Sequence, residues 1–125
     1  MARKIAYWSS TIIAATMLGF ALSYLTGSTQ VVAGFSHLGY PQYLRVILGV
    51  AKPAAAVVLL WPGIPLLKEW AYAGAAFAWV MAAVSHWQAG DGPISLMPVA
   101  LLALLLVSYL TRPASRRLTL AAASV

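Results

Sequence analysis

Cysteine is absent from this chain of 125 residues, and acidic residues are nearly so. Without cysteine there is no disulfide, no thiolate nucleophile and no cysteine-held metal, and the redox compartment stays open. The only acids are Glu69 and Asp91, against eight Lys and Arg. Charged residues make up 8 % of the chain and hydrophobic residues 62 %, far too little polar surface to cover a soluble core. No low-complexity tract and no internal repeat is visible.

What is present is apolar sequence in four runs, Ile5–Thr26, Tyr43–Trp61, Leu67–Gln88 and Ile94–Thr111. About 20 apolar residues cross ~30 Å of hydrocarbon at ~1.5 Å of rise per residue. Each run meets that length or falls short by about a turn. The expected fold is all-α: one integral membrane domain, a bundle of four transmembrane helices over residues 1–125. The first run is too long for a signal-peptide core and reads as a retained anchor.

The basic excess does not read as a nucleic-acid surface, because it gathers at span ends. Arg3 and Lys4 precede the first run, Lys68 lies in the turn before the third, and Arg112, Arg116 and Arg117 follow the fourth. The connections 27–42 and 89–93 carry no Lys or Arg, and Arg45 is the one nearby exception. By the positive-inside rule both termini are expected on the cytoplasmic side. Between the first two runs, apolar residues recur every three or four positions, which predicts a short amphipathic interfacial helix over 28–42. Gly39-Tyr40-Pro41 stops it. Pro53 predicts a kink in the second span. The tail after Ser115, basic and then apolar, reads as lying on the cytoplasmic interface or disordered.

The third run places Glu69, Tyr72, Ala76, Trp79, Ala83 and His86 on one stripe. Small residues at Ala71, Ala73, Gly74, Ala75 and Ala76 predict close helix approach. The second run has its own stripe, Arg45, Gly49, Lys52 and Ala56. Facing each other, these stripes would give a polar interior between the second and third spans. Lys52 is the sharpest residue, because a lone charge near the midplane costs at least ~2.5–3.5 kcal/mol. Asp91 falls in a turn, which leaves Glu69 as the expected partner of Lys52, although Glu69 sits roughly 10 Å nearer the cytoplasm. That pair reads either as a structural lock or as a functional site. His86 reads as a proton donor or as an interfacial histidine bonded to Tyr40 or Asp91. A haem held by His37 and His86 is a further reading, without an attachment motif or paired histidines on one helix. Tyr7, Trp8, Trp61, Trp70 and Trp87 read as interfacial belts, while Tyr72 and Trp79 lie deeper and are placed to stack a flat ligand or to pack the core.

Several of these residues occur in a recognisable pattern. Gly39-Tyr40-Pro41 with Tyr43, Leu48-Gly49 with Lys52, Pro62, and Leu67-Lys68-Glu69-Trp70-Ala71-Tyr72-Ala73-Gly74 with Ser85-His86 resemble the DoxX-like family. Tyr7-Trp8, Thr11 and Ser108-Tyr109-Leu110 with Arg112-Pro113 fit it too, so the resemblance covers nearly the whole chain. It implies a small four-helix, multi-pass protein of the bacterial cytoplasmic membrane. The family's namesake is a subunit associated with a thiosulfate:quinone oxidoreductase and terminal oxidase system. By position the resemblance implies Lys52, Glu69, Tyr72 and His86 as the polar motif; Pro53 departs from the aliphatic residue that many relatives carry there.

Three functional readings follow. The leading one is a quinone-linked redox accessory subunit that binds a lipophilic ring compound between the second and third spans, with a redox partner protein. Lys52, Tyr72, Trp79 and Tyr40 would hold the ring; Lys52, Glu69 and His86 would carry the chemistry, and no metal is invoked. The second is a stand-alone acid–base enzyme, an isomerase or hydrolase, in which Glu69 and His86 stand roughly 25 Å apart along one helix, so that Glu69 with Lys52, or His86 with His37 and Tyr40, is the safer pairing. The third is a scaffold or small transporter, with homo-oligomerisation through the small-residue face.

Overall fold

The computed structural model describes residues 1–119, and every element in them is helical. Helix α1 runs Ala2–Gly19 and tightens into a 3₁₀ segment, Phe20–Thr26, which ends at Gly27 with φ 67°. Ser28 then caps α2, Thr29–His37, by accepting from the backbone N–H of Val31 at 3.4 Å; serine oxygen is well suited to satisfy such an orphan donor. This is the expected amphipathic helix, shortened at both ends. Its buried residue, Phe35, meets Tyr24 edge-on at 5.1 Å and Tyr40 at 6.1 Å between ring centroids.

Helix α3, Gln42–Leu60, continues through Pro53 without a break. The turn into α4, Pro65–Gln88, uses Gly63 at φ 74° and Ile64 at φ 48°, the second an unusual conformation for a β-branched residue. A 3₁₀ turn, Gly92–Ser95, leads into α5, Leu96–Thr111, and a last 3₁₀ turn covers Ala114–Arg116. The expectation for the apolar end of the tail falls on residues 120–125, outside the described ones.

Three helical segments are long and apolar enough to cross a membrane by length and composition: Ala2–Thr26, Gln42–Leu60 and Gly92–Thr111. The sequence reading counted four. The exception is α4, at 24 residues the longest continuous α-helix, because Lys68, Glu69, Ser85 and His86 dilute its apolar composition.

The four long helices pack as a closed ring, α1 against α3, α3 against α4, α4 against α5 and α5 back against α1. Leu18, Leu59 and Trp79 fill the middle among buried alanines. Gly49 is where α3 comes closest to the end of α1: a Cβ there would stand 2.7 Å from Leu25 Cδ2 and 3.3 Å from Tyr24 Cβ. The stripe of Arg45 and Gly49 therefore faces the end of α1, not α4 as the sequence predicted. Arg45 Nη1 donates to the Tyr24 carbonyl and its Nε to Gln42 Oε1 at 3.0 Å, serving a carbonyl that the 3₁₀ segment leaves open.

The basic residues at the other end share one task. Lys68, read from the sequence as lying in the turn before the third span, stands in the first turn of α4 and is 2 % exposed, and its ammonium donates to the carbonyls of Val58 and Trp61. Arg116 donates to Leu59 O at 2.8 Å and Leu60 O at 3.3 Å. Arg3 reaches Leu110 O at 3.2 Å, and Arg112 the Tyr109 carbonyl. Helix C-termini carry unpaired carbonyls and a partial negative charge, so these cations close the ends of α3 and α5.

Candidate functional site

At the end opposite those cations, Asp91 gathers two histidines. His86 Nδ1 lies 2.6 Å from its Oδ2 and His37 Nε2 lies 2.7 Å from its Oδ1. The carboxylate thereby ties α2 to the end of α4, and hydrogen bonds from His86 and then His37 hold it below the ordinary carboxylate range. The bonding of His86 to Asp91 is one of the two partnerships read from the sequence. Tyr40 takes the other available group, the Ser85 hydroxyl. No group of three metal-ligating side chains suited to an ion occurs among the described residues.

Glu69 does not meet Lys52. Its Oε1 accepts from Arg112 Nη2 at 2.9 Å and its Oε2 from the Tyr109 hydroxyl at 2.9 Å. Arg112 stacks over Tyr109, 3.6 Å from the ring centroid. The physical reason is depth: Glu69 lies in the first turns of α4, level with the end of α5, whereas Lys52 is halfway along α3. Next to this clamp, Ser108 Oγ is 2.5 Å from Thr11 Oγ1 and 2.7 Å from the Tyr72 hydroxyl, a fully buried chain across α1, α5 and α4. Tyr72 thus faces α5, with Glu69 and Tyr109, along a cavity of about 250 Å³. Trp79, at 4 % exposure, packs in the core.

Lys52 stands alone. Its Nζ lies 5.5 Å from the Tyr24 ring centroid, and no ion pair or hydrogen bond reaches it among the described residues. It lines two cavities. One, of about 310 Å³, is a groove between α3 and α4 whose floor is Leu18, whose walls include Ala51, Ala55, Gly74 and Ala78, and whose rim is Trp70. The other, of about 270 Å³, is a chamber shared by Tyr24, His37, Tyr40 and His86. Leu48, Lys52 and Ala78 belong to both linings, so the two spaces adjoin along these side chains. Of the small residues expected to bring α4 against a neighbour, Ala71 and Ala75 are buried in the core, whereas Gly74 opens on this groove: nothing lies within 4 Å of a Cβ built there.

The predicted site residues therefore divide. Lys52, Tyr40 and His86 come together around the chamber; Glu69 and Tyr72 turn to the α4–α5 side; Trp79 is core. Sequence reading missed Trp70, 66 % exposed at the groove, having assigned it to an interfacial belt. It also placed Tyr7 in that belt, whereas Tyr7 is buried at 1 % exposure. Arg112 was taken for a topology marker, though its spacing from Tyr109 on one helix end hinted at the clamp.

A 310 Å³ apolar groove with one ionisable group is at the lower end of the size of small-molecule sites, ~300–1,000 Å³. No curated protein and no solved structure matches the chain. The family model of the DoxX-like family matches residues 8–108, a stretch that contains the groove, the chamber, the Asp91 cluster and Glu69, while the clamp partners Tyr109 and Arg112 lie just beyond it. The chain belongs to the DoxX-like family and is a small membrane protein.

Proposed function

We propose that this protein spans the bacterial cytoplasmic membrane four times, with both termini inside, and binds a lipophilic ring compound of the quinone class in the groove between α3 and α4. The observation that carries this reading is Lys52, an unpaired ammonium at mid-helix depth in an otherwise apolar groove with an aromatic rim. An ionisable group at that depth normally marks a site. Lys52 would donate to a ring oxygen, Trp70 would cover the ring face, and His86 and Tyr40 would line the space beyond the ring's polar edge. The role is binding and orientation, with a partner redox protein supplying or taking the electrons. Counting α4 as a span rests on its length and on its place in the ring of helices, while the clustered basic end supports the orientation.

The stand-alone acid–base reading loses its Glu69–His86 and Glu69–Lys52 pairings, because Arg112 and Tyr109 hold Glu69 at the opposite end of α4 from His86; its remaining form pairs His86 with His37 and Tyr40 around the chamber. The test is purification in mild detergent followed by mass and absorbance spectra of what co-purifies. Stoichiometric quinone, lost in Lys52→Met and kept in Glu69→Gln, is the expected result. A folded protein that carries no ring compound and takes up none when offered ubiquinone or menaquinone would sink the reading and leave a scaffold.

A further inference from the structure

The sequence holds two acidic residues, and neither serves Lys52. Glu69 is committed to Arg112 and Tyr109. Asp91 is committed to His37 and His86. Arg45, the other cation of α3, rests on the Tyr24 carbonyl and Gln42, and Lys68, Arg112 and Arg116 rest on carbonyls or on Glu69. Among the described residues Lys52 has only the Tyr24 ring, at 5.5 Å. Neither cavity that it lines has a carboxylate in its lining, whereas the chamber adds the hydroxyls of Tyr24 and Tyr40 and two histidines. Both spaces are thus built of donors and apolar surface, with no negative group. A lipid phosphate at the interface cannot supply one, since Lys52 lies roughly 15 Å from the start of α3 and roughly 12 Å from its end by helix rise.

We propose that the missing counter-charge arrives with the ligand: the groove takes an acidic lipophile, a ring compound bearing an ionised hydroxyl, with the anionic oxygen on Lys52 Nζ and the ring against Trp70. This inference rests on the groove reading above and narrows it from any ring compound to an anionic one. An ammonium and an oxyanion brought together in a low-dielectric groove form a charge-assisted hydrogen bond, stronger than one to a neutral carbonyl. The anion neutralises the site as it binds, so the filled groove carries no net charge into the bilayer.

The experiment compares two probes of nearly the same shape on the full-length protein in detergent. One is 2-hydroxy-1,4-naphthoquinone, an anion at neutral pH; the other is uncharged 1,4-naphthoquinone. Binding is read by quenching of tryptophan fluorescence, and because the chain holds five tryptophans, the part of the signal due to the groove is the part that Trp70→Phe removes. The expected result is binding of the anion at least about tenfold tighter, with the preference kept in Lys52→Arg and abolished in Lys52→Gln, where both probes bind more weakly and alike. Equal affinity of the wild-type protein for both probes overturns the proposal and leaves the quinone reading standing. Failure of both probes to bind a folded protein overturns both. Displacement of the anion by palmitate at matching affinity overturns the assignment to a ring. The wild-type comparison needs no variant, so a poorly folding substitution cannot spoil it.

Discussion

Ser108 Oγ has two partners, Thr11 and Tyr72, where most buried hydroxyls have one. Ser108→Ala strands both, whereas Tyr72→Phe leaves the Thr11 bond intact. Hydrogen bonds between membrane helices are worth about 0.6–2 kcal/mol each, so Ser108→Ala should cost more stability than Tyr72→Phe, by roughly one such bond, in chemical unfolding in detergent. Glu69→Gln should cost about 1–3 kcal/mol by leaving Arg112 short of its anion, with ring binding unchanged; coupled loss of both would show that the two faces of α4 act as one site. The error at Glu69 was made by elimination, since two acids left only one to assign. Its warning was already in the numbers, because a mismatch of roughly 10 Å along the helix axis is too long for a direct bond, and Arg112 stands level with Glu69. The Thr11–Ser108–Tyr72 chain was not legible for another reason: serine and threonine on apolar helices usually satisfy themselves on their own backbone, as Ser9, Ser10 and Thr16 do here.

At the scale of helices, two glycines that look alike in sequence do opposite things. Gly49 lies where α3 meets the end of α1, and Gly74 faces open groove. Alanine gains up to ~1 kcal/mol over glycine in a helix interior. Gly74→Ala should therefore raise the melting temperature, while Gly49→Ala should not, because its methyl must displace Leu25 and press on Tyr24. A larger residue discriminates function: Gly74→Phe should abolish ring binding with little loss of stability, and retained binding would place the ligand elsewhere. Helix existence and order were legible, since Gly and Pro clusters mark each break between apolar runs. Which face of a small-residue run meets a neighbour was not, because periodicity reports a stripe and not what lies opposite it.

Over the whole molecule, the two ends differ in chemistry. Asp91 joins α2 to the end of α4, and its carboxyl is held below its ordinary value near 3.8 by His86 and His37. A depressed acid contributes stability above that ordinary value and loses it as pH falls through the folded one. Acid titration should leave the α2 amides protected from hydrogen exchange down to that range and expose them below it, while Asp91→Asn should expose them already at neutral pH. Equal protection in both proteins at all pH values would show that α2 is held without Asp91, by the burial of Phe35 and by Gln42 Nε2, which donates to Val32 O at 3.3 Å.

The basic end has a consequence for how such chains can evolve. Insertion direction in small membrane proteins is set by a handful of lysines and arginines, and moving them is the short route to a reversed or mixed population. Here Lys68, Arg116, Arg3 and Arg112 are also the groups that close the carbonyl ends of α3 and α5. Shifting them to the other side would uncap two helices in the same step. On the orientation proposed above, insertion and folding are thus under one lock, and reversing the one means rebuilding the helix ends that secure the other.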